Sequence, residues 1–145
     1  MTDQDSTPET NGEQAIYSPK DWMLDGFLQI FKGKDSEISL TFQSKGATVS
    51  GTLISREQYL ERLAVAFDNA GSPEMMQVAE MWQEDMLARD ARDAERQANG
   101  GGIASFHFLH MRDVVIYTGS VAVEMPLWRG TTEDITGWSI GKVSS

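Results

Sequence analysis

Hydrophobic positions along the chain change their period several times, and each change marks a new element. Trp22, Leu24, Phe27, Leu28 and Phe31 recur at three- and four-residue intervals, which predicts a helix with one apolar face. Ser18-Pro19-Lys20-Asp21 reads as its start: Ser18 as N-cap, Pro19 at the first helical position and Asp21 in the first turn, with Gly33 ending it. From Ile38 the period becomes two. Ile38, Leu40 and Phe42 alternate with Ser39, Thr41 and Gln43. Ser44-Lys45-Gly46 then reads as a turn, and Val49 with Thr52 to Ile54 as the return strand of a hairpin. Gly51 inside that strand predicts a bend or bulge of the kind that curls a small barrel.

The helical period returns after Ser55, an N-cap with Gln58 placed three residues on as a capping-box partner. Tyr59, Leu60, Leu63, Ala64 and Phe67 form the apolar face, and Asn69-Ala70-Gly71 ends the helix. Ser72-Pro73 opens another helix, along which Met75, Ala79, Trp82 and Met86 form an apolar stripe. Beyond it the run RDARDAER alternates in sign with few apolar residues, as in a segment that projects into solvent. Asn99 and Gly100 to Gly102 read as a hinge back to strands. Two are expected at Ile103 to His110 and Val114 to Tyr117, with a turn or loop over Gly119 to Met125. Pro126 sits at a strand edge, Leu127-Trp128-Arg129 begins the last block, and Gly137 to Val143 reads as the final strand.

These elements predict an α+β fold: a small curved antiparallel sheet, or an open Sm-like or SH3-like barrel of about five strands, behind an N-terminal helix and carrying an inserted helical pair over residues 56–98. Residues 18–145 are expected as one domain. Residues 1–17 contain four acids and no Lys or Arg, and read as a disordered acidic tail that cannot bury enough apolar area to offset its ordering entropy.

Charge and composition narrow the function classes. Twelve basic residues are scattered among 22 acids, for a net charge of −10, so neither nucleic acid nor an anionic membrane surface is expected as a partner. No stretch reaches the roughly 18 apolar residues of a membrane-spanning helix, and the polar start has no secretory pattern. With no cysteine there is no thiol chemistry, and a cytoplasmic location is expected.

Candidate catalytic groups are sparse. The two histidines, His107 and His110, lie three apart, a spacing that turns them to opposite faces of a strand. No serine sits in a GxSxG elbow, and the glycines at 100–102 follow a helix and precede a strand, the reverse of a phosphate-binding turn. No catalytic residue, metal ligand or cofactor is therefore expected, and the chain reads as no enzyme. The residues that fit a protein-interaction surface are Met75, Trp82 and Met86 on the long helix, and Trp128, Arg129 and Trp138 near the end. For the tryptophans core packing is the competing role, and the parity that turns Trp128 inward or outward is open.

Four segments in order, ISLTFQSKGATVSGTLIS, REQYLERLAVAF, FHFLHMRDVVIYTG and LWRGTTEDITGWSIGKV, resemble the gas-vesicle accessory protein U family (GvpU). The most specific parts are SGTLIS with the helix that follows it, and the terminal WRG and GWSIG. The resemblance implies a small, cytoplasmic, non-enzymatic protein that associates with gas vesicles. It would bind the vesicle shell, other gas vesicle proteins or itself as a homo-oligomer, assisting assembly or clustering. The alternative is a small-barrel ligand- or RNA-binding adaptor unrelated to gas vesicles.

Overall fold

The computed structural model describes residues 21–31, 36–102 and 106–143. The expected acidic tail and the expected helix start at Ser18 and Pro19 lie outside the described residues. Helix α1 runs over Trp22–Phe31, followed by the hairpin β1 (Ile38–Ser44) and β2 (Ala47–Leu53). The helical pair is α2 (Arg56–Asn69) and α3 (Pro73–Ala98). After it come β3 (Phe108–Thr118), β4 (Val121–Thr131), a single 3-10 turn at Thr132–Asp134, and β5 (Ile135–Ile140).

The five strands form one antiparallel sheet in the order β4-β3-β2-β1-β5. The chain crosses from one edge to the other between β4 and β5, so each sequence-adjacent pair except the last is also a spatial neighbour. β4 and β5 are not paired with each other. The result is the open, curved α+β sheet expected from the sequence, with its helix ahead of β1.

Asp21 starts α1: its Oδ1 accepts hydrogen bonds from the Met23 and Leu24 N–H groups at 3.0 and 3.1 Å. These are donors the first helical turn cannot satisfy for itself. Leu24, Leu28 and Phe31 then point onto the sheet and join Leu40, Phe42, Val49, Leu53, Leu109, Met111 and Val114 in the core. Each such side chain contributes about 1.5–3 kcal/mol on burial. Phe27 extends the cluster sideways, edge-on to Phe31 at 4.9 Å and stacked on Trp138 at 6.1 Å.

Gly51 does what its place in the strand predicts. The β2–β3 register shifts between Ser50 and Thr52, and a Cβ on Gly51 would lie 2.9 Å from Val114 Cγ2 and 3.0 Å from the Arg112 carbonyl oxygen. Only a residue without a side chain lets the two backbones approach so closely. On the facing strand Asp113 takes up the strain with φ of 51°.

That bulge corrects the strand reading. Phe108 to His110, the end of the first expected strand, and Val114 to Tyr117, the second, belong to the single strand β3, in which Met111 and Val114 both face the core because Asp113 breaks the alternation. Residues 103–105 lie outside the described residues. The region expected as a loop, Gly119 to Met125, is a two-residue turn at Gly119 and Ser120 and then strand, with Val121, Val123 and Met125 paired to Thr118, Ile116 and Val114. Its alternation of Val121, Val123 and Met125 with Ala122 and Glu124 is a strand signal. Pro126 is tolerated because β4 is an edge strand. The last strand begins and ends earlier than expected, at Ile135–Ile140 rather than Gly137 to Val143.

The Ser55–Gln58 capping box of α2 is present in both directions. Ser72 makes no side-chain cap, and α3 begins on Pro73 alone. α3 packs chiefly on α2 rather than on the sheet, burying Ala79 and Met86. Its charged half is regular helix to Ala98, carrying ion pairs of Asp85 with Arg89 at 2.9 Å and Asp93 with Arg96 at 2.8 Å.

Candidate interaction site

The cross-strand pairing settles the parity left open by the sequence. Trp128 lies opposite Met111 and packs on the core, so Arg129, opposite His110, emerges on the other face. Gly130 is required beside it: the Trp128 indole lies over Gly130, and a Cβ there would overlap the ring. Trp138 also packs on the core, and its Nε1 donates to Asp21 Oδ2 at 2.7 Å, joining β5 to the start of α1. The six residues singled out from sequence therefore do not form one surface. Trp82, Met86 and Arg129 line a common cleft, Trp128 and Trp138 pack against the core, and Met75 lies outside the cleft, partly exposed on the first turn of α3.

The cleft encloses about 780 Å³ between α1, the α2–α3 pair and one end of β3 and β4. A volume of this size is typical of a ligand pocket. His110 forms its floor, only 8% exposed, with the Tyr59 ring 4.7 Å away. Arg129 Nε donates to His110 Nε2 at 3.2 Å, while the guanidinium sits 3.7 Å above the Phe108 ring. Burial, with the positive charges of Arg129 and then Arg56 adding to it, pushes the His110 imidazole down to about 3. The ring is neutral, accepts at Nε2 and carries its proton on Nδ1. Burial raises the Tyr59 phenol, opposed by Arg129.

α2 supplies the remaining polar groups. Arg56 Nη2 donates to Asp90 Oδ1 at 2.6 Å, tying the two helices together. Arg56 Nε and Glu57 Oε1 are buried without a hydrogen-bond partner among the described residues. His107 precedes β3, so strand alternation does not govern it, and it lines the same cleft as His110. The His110 Nε2 is occupied by Arg129. Among the described residues no cluster of three or more His, Asp or Glu is placed to hold a metal ion. Polar and apolar side chains together line the cleft.

Two further surfaces went unread in the sequence. The outer face of α1 exposes Trp22 at 78%, Met23 at 57% and Ile30 at 61%, opposite its core-facing side. The signal was available: α1 is apolar nearly all round, a composition that calls for cover on both faces. β4 exposes Val121, Val123 and Met125 along a sheet edge that pairs with no further strand among the described residues. No helix among the described residues is long and apolar enough to cross a membrane.

No curated protein and no solved structure gives a significant match to this chain. A family model described as gas vesicle protein GvpU-like matches residues 21–143. The match opens at Asp21, the cap of α1, and runs past the end of β5, so it takes in the sheet, the helical pair and the cleft between them. By that match the chain belongs to the GvpU-like family of gas vesicle proteins, whose role is that of an accessory to the vesicle.

Proposed function

We propose that this protein is a non-enzymatic gas vesicle accessory protein that binds the vesicle shell or further copies of itself, and so assists assembly or clustering. The observation that carries the reading is the outer face of α1, where Trp22, Met23 and Ile30 stand exposed although the opposite side of the same short helix is core. Large apolar side chains grouped on a folded surface mark a contact site. Additional apolar side chains on β4 and on α3, where Met81 and Leu87 are exposed, provide the several weak contacts that clustering needs.

The net charge of −10 sets the condition. Like charges repel across any contact between two copies, and salt screens that repulsion over a Debye length of about 8–10 Å at physiological ionic strength. Association is therefore expected to strengthen as salt rises. The test is centrifugation of the purified protein with isolated gas vesicle shells at low and high salt, beside a variant carrying W22S, M23S and I30S. Shell binding that increases with salt and falls in the variant supports the reading. Absence of binding at both salt concentrations, or a variant that binds unchanged, refutes it.

A further inference from the structure

We propose that the cleft beside His110 is a binding site for a peptide carboxylate, the free end of a chain carrying apolar residues. Of the acids lining the cleft, Asp85 is matched by Arg89 and Asp93 by Arg96, and Asp90 beside it is matched by Arg56. Arg129 is different. It has no carboxylate partner among the described residues, although the chain holds 22 acids. Its Nε is spent on His110 and one face of its guanidinium on Phe108, which fixes the plane and leaves the Nη edge for a ligand. A planar, oriented guanidinium with a free edge is the group that recognises a carboxylate by two parallel hydrogen bonds.

The two orphaned atoms on α2 extend the complement. Arg56 Nε is a buried donor and Glu57 Oε1 a buried acceptor, each costly to leave unmade. Both residues line the cleft, and with their side chains turned toward a bound peptide unit these atoms meet their counterparts, a carbonyl for the arginine and an N–H for the glutamate. The unpaired Glu57 oxygen also disfavours a ligand made only of anionic oxygens, because such a ligand brings no donor. Leu28, Phe31 and Leu63 give the cleft its apolar wall. The site thus asks for one carboxylate, an adjoining amide and apolar side chains, which a peptide chain end combines.

The test follows chemical shifts of the full-length protein while three millimolar probes are added: N-acetyl-leucyl-phenylalanine, its C-terminal amide, and 3-phenylpropanoate. The free-acid dipeptide is expected to shift the signals of Arg129, Phe108 and Tyr59. It should bind roughly tenfold or more tightly than the amide, the ratio expected for a charge-assisted pair of hydrogen bonds. The phenylpropanoate, lacking the amide, is expected to bind more weakly than the free-acid dipeptide. R129Q should erase the difference between acid and amide. Equal binding of acid and amide by the unmutated chain, or no binding of either, overturns the proposal, and neither outcome depends on a variant folding. Binding of phenylpropanoate as tightly as the dipeptide assigns the cleft to small acids and overturns the peptide assignment. No vesicle shell is present in this experiment, so its failure leaves the accessory reading to its own test.

Discussion

Replacing Asp21 by alanine removes three hydrogen bonds that the fold concentrates on one carboxylate. Oδ1 caps α1 through Met23 and Leu24, and Oδ2 accepts from Trp138 Nε1 on β5. Loss of an N-cap costs about 1 kcal/mol. A net hydrogen bond contributes about 0.5–1.5 kcal/mol, and the lower part of that range applies because Asp21 is exposed. The sum is about 1.5–2 kcal/mol, which in a chain of this size lowers Tm by roughly 3–8 °C. D21N keeps a good cap and an acceptor for the indole, so it should lose well under half as much.

The dependence on pH separates this account from a general loss of helix. The Trp138 hydrogen bond, helped by the Leu24 and Met23 N–H groups and opposed by burial, holds the Asp21 carboxyl below its ordinary value of 3.8. A lowered carboxylate stabilises the fold fully above its unfolded value and loses that contribution as pH falls through the folded value. The stability gap between the unmutated protein and D21A should therefore be constant near neutrality and close below about pH 4. Urea unfolding at several pH values, followed by tryptophan emission and far-ultraviolet circular dichroism, measures both quantities. A D21A protein as stable as the parent, or a gap unchanged into acid, refutes the reasoning.

Other expectations are briefer. G51A forces a methyl against the Arg112 carbonyl and Val114, and G130A forces one into the Trp128 ring; each should cost about 1–3 kcal/mol in urea unfolding, whereas glycine to alanine at an unconstrained site would not. His110 titrates at about 3 in the fold against 6.5 in the open chain, so the stability it supports is complete above about 6.5 and declines as pH falls from there toward 3. H110Q retains an acceptor for Arg129 without a titrating ring, and should flatten that acid decline in a pH series of thermal melts. M111A, which empties a fully buried position, should cost about 2–5 kcal/mol by the same unfolding assay.

Local chemistry in the sequence was enough to place a helix at α1, though not its cap at Asp21 or the exposure of Trp22, and to determine the β1–β2 hairpin, the capped start of α2 and the bend at Gly51. Each depends on neighbours within a few residues: apolar spacing, a serine three residues ahead of a glutamine, a glycine within a strand. The specific order of SGTLIS and the terminal WRG and GWSIG was likewise enough to point to the family. The start of β4 resembles a loop in sequence because Gly119 and Ser120 make a turn so short that Val121 re-enters the sheet at once.

Tertiary structure alone decided the rest. Whether Trp128 or Arg129 faced the core depended on the register of β4 against β3, where a shift of one residue exchanges the two faces. The merging of two expected strands into β3 depended on a bulge shared with Gly51, more than sixty residues earlier in the chain. The pairing of Arg129 with His110, and the meeting of both with a helix that packs chiefly on another helix, followed from that register. Short-range periodicity states which residues seek burial. The partner that buries them, and the polar groups left facing a cleft, are set by contacts between segments that no local pattern relates.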